Sequence, residues 1–190
     1  MISRAQVSLA VFWLMALTGA RAASAATSYF ADPGASRLEF AGVQAGAEFK
    51  GVFHHFTAAI DFAPEALASS HFDVQIDLTS VDTLDKDRDN TIRSPDIFDA
   101  AHFPTARYVA SGFTKTATGY RAAGMLTLHG ITKSVPLEFQ FLAPAGSAKL
   151  QGTTNLRRLE FGVGQGDWKS TEWVGDEVKV VFSLVLKPKT

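Results

Sequence analysis

Apolar and polar residues alternate with a period of two along most of this chain. Phe72, Val74, Ile76 and Leu78 are interleaved with Asp73, Gln75, Asp77 and Thr79, the pattern of a strand with one buried face. Val178, Val180, Phe182, Leu184 and Leu186 repeat it up to Pro188. Val135, Leu137, Phe139 and Phe141 form a third run, with Pro136 near its start, where a strand tolerates proline. Shorter versions occur at Leu38 and Phe40, at Phe49 and Phe53, and at Leu126 and Leu128. Turn residues separate the runs: Asp32-Pro33-Gly34, Gly46, Pro64, Gly119, His129-Gly130 and Pro144 to Gly146. Seven or eight strands with short connections and no internal repeat predict an all-β, antiparallel sandwich or barrel.

Thr83 to Ser94 breaks the rhythm. Leu84, Arg88 and Ile92 fall at helical spacing, a capping residue stands at the start, and Pro95 follows the end. Asp89 and Arg93 are placed for an acid-first i,i+4 ion pair. A short helical insertion around residues 84–94 is predicted, with another single turn near Pro64 to Ala68. Together with Ile97, Phe98 and Phe103-Pro104, the insertion is expected to cover one end of the sandwich or barrel.

Residues 1–25 read as a signal peptide. Arg4 supplies a positive start, Val7 to Leu17 an apolar core, and Ala23-Ser24-Ala25 a cleavage site, with Ala20-Arg21-Ala22 as second choice. Eleven apolar residues are too few to span about 30 Å of hydrocarbon as a helix. The expectation is export to the periplasm, leaving residues 26–190 as a single domain. Removing the leader takes away Arg4 and Arg21 and leaves 16 basic against 19 acidic residues.

That charge balance argues against a nucleic-acid partner, which would need clustered excess Lys and Arg. The absence of cysteine from the sequence excludes disulfides, thiolate metal sites and a cysteine nucleophile. No G-x-S-x-G presents a serine, and no glycine-rich loop leads from a strand into a helix. His54 and His55, adjacent in a strand pattern, would face opposite sides and could not share one metal. Asp85, Asp87 and Asp89 imitate a calcium loop, but Asn90 stands where glycine is required and three basic residues crowd the segment. Gly162, Gly164 and Gly166 read as a turn or bulge. What remains is phenylalanine, 15 in the chain against 3 Tyr and 3 Trp. Composition leaves two readings open, a packed core or a lined hydrophobic cavity.

Several motifs resemble one family. Ser80-Val81-Asp82-Thr83, Arg88-Asp89, Ile92-Arg93-Ser94, Phe98-Asp99 and Phe103-Pro104 follow the order and spacing of the YceI-like family. Gly124 to Lys133 (GMLTLHGITK) is similar to its L-T-L-x-G-[VI]-T-K hairpin, Phe49 to Phe53 to its G-x-F strand, and Phe161-Gly162-Val163 to its late F-G-V motif. The resemblance runs from about Thr27 to Leu186. It implies an extended, eight-stranded, lipocalin-like antiparallel barrel that holds a polyisoprenoid or similar amphiphilic lipid, in a family commonly exported to the bacterial periplasm and not established as enzymes. Ile92 stands where leucine is usual and Ile97 where phenylalanine or leucine is, which bears on the shape of the pocket. Gly164 to Trp168 resembles a subgroup sometimes encoded with a b-type cytochrome, hinting at a quinone-like isoprenoid and a membrane cytochrome partner.

On this reading the lipid tail lies along Phe40, Phe49, Phe53, Phe72, Val74, Ile76, Leu78, Leu126, Leu128, Phe139 and Phe141, with Ile92, Ile97, Phe98 and Tyr108 closing or shaping the pocket. Asp82, Asp89 and Arg93 are expected to fix the insertion rather than to read the ligand. No metal or cofactor is expected, and the oligomeric state is left open. Two alternatives stand beside this one: an enzyme acting on the isoprenoid or quinone head group, for which His129 and Tyr108 are the candidates, and a ligand-free stress or interaction protein.

Overall fold

The computed structural model describes residues 26–144 and 147–189; the expected leader lies outside them. The described residues form eleven strands and one α-helix: β1 (Thr27–Ala31), β2 (Arg37–Gln44), β3 (Ala47–Phe53), β4 (Phe56–Phe62), β5 (His71–Asp77), β6 (Val81–Asp82), α1 (Lys86–Arg93), β7 (Thr105–Lys115), β8 (Tyr120–Leu128), β9 (Ile131–Leu142), β10 (Ala148–Arg157) and β11 (Glu177–Pro188).

Eleven strands make eight staves. β11 pairs with β2 from Lys179 to Ser183 and with β1 from Leu186 to Pro188, so β1 and β2 are one stave broken at residues 32–36. β2 pairs with β3 and β1 with β4, which makes β3 and β4 a second stave, broken at His54-His55. β5 and β6 are the third, interrupted by a 3-10 turn at Leu78–Ser80 and paired with β4 and β3 respectively. β7 to β11 complete an up-and-down meander, and the pairing of β11 with β1 closes it into an eight-stranded antiparallel barrel. Closure pairs every stave on both sides over at least part of its length, although β9 has no partner on β10 over Ile131–Leu137, and the alternation seen in the sequence becomes inside and outside.

The breaks put some expected strand residues elsewhere. Leu78 leaves the strand for the 3-10 turn yet stays 2% exposed, because the turn keeps its side chain inward. His54 and His55 sit at a stave break rather than in a strand; His54 Nε2 meets Asp82 Oδ2 at 2.9 Å. Pro136 lies in the middle of β9, not near its start. The ladder between β9 and β10 ends at Glu138 and Thr153, so the missing N–H of Pro136 interrupts nothing there. Its carbonyl accepts from Thr154 Oγ1 at 2.9 Å.

The helix begins later than its spacing suggested. Asp85, not Thr83, is the N-cap, accepting from the N–H groups of Asp87 and Arg88 at 3.1 Å each. Leu84 therefore lies outside α1 and is 96% exposed. Asp89 and Arg93 do not pair. Asp89 is buried and accepts from the N–H and hydroxyl of Thr83, at 2.8 and 2.7 Å. Arg93 donates to the carbonyls of Thr79 and Val81 and to Asn90 Oδ1. Backbone groups left free by the β5–β6 break outcompete a solvent-screened ion pair. Both side chains nonetheless fasten the insertion to the barrel.

The two ends of the barrel differ. One carries the β4–β5 connection, the β7–β8 turn and the chain between β9 and β10; here Phe62, Phe72, Phe113, Tyr120, Phe139 and Phe141 pack with ring centroids 4.7–6.3 Å apart. The other carries the β2–β3 and β8–β9 turns, the 83–104 insertion and the long 158–176 segment. Both of its tight turns have positive φ at the two central residues, Ala45-Gly46 and His129-Gly130, the geometry that matches strand twist in two-residue hairpins.

Candidate functional site: an apolar cavity with a polar mouth

A cavity of about 510 Å³ occupies the barrel between these ends, within the range of roughly 300–1,000 Å³ typical of small-molecule sites. The aromatic plug closes its floor. Its walls come from nearly every stave: Leu38 and Phe40 on β2, Ile60 on β4, Val74 and Ile76 on β5, Leu126 and Leu128 on β8, Leu150 and Leu156 on β10, Phe182 and Leu184 on β11. Phe40, Phe53 and Phe98 form a chain of rings under α1, with centroids 5.3 and 6.2 Å apart. Ile92 from the helix and Ile97 beyond it complete this cover, so the insertion does roof one end of the barrel.

Of the fifteen residues expected to hold a ligand, thirteen line this cavity. Phe139 and Phe141 do not. They point inward, as alternation requires, but at the height of the plug, where Phe139 stacks on Tyr120 and Phe141 meets Phe62 and Tyr29. Alternation reports inside against outside and carries no information about height along the barrel axis. Phe182 and Leu184, inward by the same alternation, line the wall as well.

Tyr108 brings a hydroxyl into the cavity, and that hydroxyl is committed. It donates to the Val135 carbonyl at 3.1 Å, and burial pushes its pKa well above the ordinary phenol range. His129 is not part of the cavity lining; its ring packs on Phe103 at 4.9 Å. The two candidates for head-group chemistry are thus not brought together.

Polar groups gather at the mouth: Gln44, Asp85, Asp87, Arg88 and Thr91 on one side, Arg158 and Trp168 on the other. Arg88 lies over the Phe49 ring at 4.8 Å, donates to Gln44 Oε1 at 3.3 Å and stands 3.5 Å from Asp85. Arg158 escaped the sequence reading. It is 6% exposed and donates to the carbonyls of Val163, Gly175 and Val174 at 2.8–3.0 Å, and to that of Ser170 at 3.5 Å. Burial lowers its pKa, and Asp176 opposes that. The sequence did hold a signal: Leu150, Gly152, Thr154, Leu156 and Arg158 share the inward phase of β10, so a charge falls where the pattern points inside. The 158–176 segment is thereby laced to one guanidinium. It is also tied to the insertion, where the Gln165 N–H meets the Asp96 carbonyl at 2.7 Å.

Among the described residues no cluster of His, Asp and Glu could hold a metal ion, and no helix is long and apolar enough to cross a membrane. A family model described as the YceI-like domain matches residues 29–186. The chain belongs to the YceI-like domain family. The fold agrees: the crystal structure of Burkholderia cenocepacia BcnA superposes with a TM-score of 0.74 at 32% identity, over 82% of this chain and 98% of that one. A polyisoprenoid-binding domain from Saccharophagus degradans, implicated in plant cell wall breakdown, shares the fold with a TM-score of 0.63 at 18% identity, over 86% of this chain and 99% of that one. A UPF0312 protein of Vibrio cholerae is 33% identical over 121 residues, 60% of this chain and 64% of that protein. The chain thus spans somewhat under two thirds of the curated relatives' length.

Proposed function

We propose that this YceI-like barrel is a periplasmic carrier or binding protein for a polyisoprenoid or isoprenoid-quinone-like amphiphilic lipid, tail in the cavity and head group at the mouth. The observation that carries the reading is the pairing of a deep apolar chamber with a polar rim at one end only. Such a shape suits a molecule with one long apolar part and one polar end. The name of the Saccharophagus degradans domain supports the same ligand class. Affinity would come from area, at roughly 25 cal/mol per Å² of apolar surface removed from water, so no single lining residue dominates. A membrane b-type cytochrome as the recipient is part of the proposal and rests on the Gly164 to Trp168 resemblance alone. Titration of the protein with a long polyprenol and, separately, a long-chain ubiquinone tests the reading. Saturable one-to-one uptake of either supports it, and uptake of neither contradicts it. N-terminal sequencing of periplasmic protein tests export, with Ala26 as the expected first residue.

The enzyme alternative gains no support from the site, because Tyr108 spends its proton on a backbone carbonyl and His129 lies off the cavity.

A further inference from the structure

Four of the seven large apolar side chains exposed among the described residues stand at the open end of the barrel: Val43, Leu84, Ile131 and Trp173. Two of them flank the mouth itself. Leu84 immediately precedes Asp85, and Trp173 immediately precedes Val174; Asp85 and Val174 both border the cavity. The two rims are linked through Gln44, which bridges to Val174 and accepts from Arg88. The neighbouring Ala45 N–H is bound by the Trp173 carbonyl at 2.8 Å.

Leu84 breaks two rules at once. It is 96% exposed, and its φ of +60 places it in the left-handed region, which disfavours a residue with a branched apolar side chain. The conformation is pinned by Asp82 Oδ1, which accepts the Leu84 N–H at 2.8 Å. The fold spends strain to hold a leucine in solvent beside the cavity opening. Strain of this kind collects where function needs a fixed presentation.

We propose that Leu84 and Trp173 are the anchors by which the mouth docks on a lipid bilayer, entering just below the head groups. The inference rests on the lipid-binding reading: a water-insoluble lipid has to pass between membrane and cavity through this rim. A leucine and a half-exposed tryptophan present on the order of 200–300 Å², far short of the about 800 Å² per partner of a stable protein interface. Insertion into hydrocarbon needs no such area, and tryptophan suits the membrane interface. Lys86 and Lys169 on the rim are outnumbered by Asp85, Asp87, Asp167 and Glu172, all six exposed, so the contact is apolar and draws nothing from anionic lipid.

The test compares the unaltered chain with Leu84→Asn, Trp173→Gln and the double variant, all with the same N-terminus so that any effect of residues 1–25 cancels. Asparagine accepts the left-handed conformation, so Leu84→Asn is expected to melt no lower than the unaltered chain. Flotation with phosphatidylcholine vesicles is expected to fall roughly tenfold or more in the double variant, with little dependence on salt. Equal flotation of folded double variant and unaltered chain overturns the proposal. So does a double variant that loses only self-association on size-exclusion chromatography, which assigns the rim to a second copy. Uptake of a detergent-dispersed polyprenol is measured in parallel and is expected to be unchanged. If the unaltered chain takes up none, the lipid-binding reading fails while flotation still decides the docking.

Discussion

The Tyr108 ring fills the space where a β-carbon on Gly124 would stand, so the glycine of β8 is the seat of a buried hydroxyl on the cavity wall. Glycine weakens a strand interior, and here it is kept for a close approach. Gly124→Ala is expected to push Tyr108 off Val135 and to destabilise the fold by about 1–3 kcal/mol, the usual cost of overpacking. Denaturant unfolding measures it. Tyr108→Phe should cost only about 1 kcal/mol, since a single hydrogen bond is lost, and should leave lipid uptake intact.

Arg158 is expected to matter most for the shape of the mouth. Arg158→Met leaves four carbonyls without their shared donor, and the loss should be about 2–4 kcal/mol. Arg158→Lys should recover little of it, because an ammonium cannot reproduce the planar fork. Hydrogen exchange reads the change locally, with protection lost over residues 162–175 before the sheet is affected.

The floor of the cavity sets its length. Phe62→Ala or Phe139→Ala should cost about 3–5 kcal/mol, because each ring packs on at least four others. If the variant folds, the chamber deepens and preference shifts toward longer tails in competition between polyprenols of two lengths. Phe98→Ala, under the roof, should cost less stability and weaken uptake of both.

Acid should loosen the barrel below about pH 4. The Arg107 guanidinium holds the Asp73 carboxyl below its usual 3.8 across the β5–β7 ladder, and His54 and the Leu84 N–H do the same for Asp82. A carboxyl with a lowered folded pKa binds fewer protons than in the unfolded chain. Its stabilisation is therefore present above about pH 4 and is lost as pH falls through the folded value. Thermal midpoints measured from neutral pH downward should drop in that window, and the drop should be shallower in Asp73→Asn.

The strands were legible because one face of each is apolar, and the helix because capping and a flanking proline announce it. The stave breaks were not. Nothing in His54-His55 or Leu78 to Ser80 distinguishes a kink between two ladders from the end of a strand, since the pairing that defines it is with residues far away in sequence. The cavity's walls followed from alternation, but its floor did not, and Phe139 and Phe141 were misplaced for that reason. Whether the inner phenylalanines pack or line depended on geometry: those under α1 and toward the mouth line the chamber, those around Phe62 face each other, and Phe72 does both.

A lipid that fills the chamber should travel with the protein, and native mass spectrometry of protein purified from its own source, followed by lipid extraction, detects it. A single adduct per chain is expected, one that disappears on denaturation and is recovered in the extract as an isoprenoid lipid. Protein that arrives without an adduct, and that also refuses added polyprenols and quinones, would contradict it.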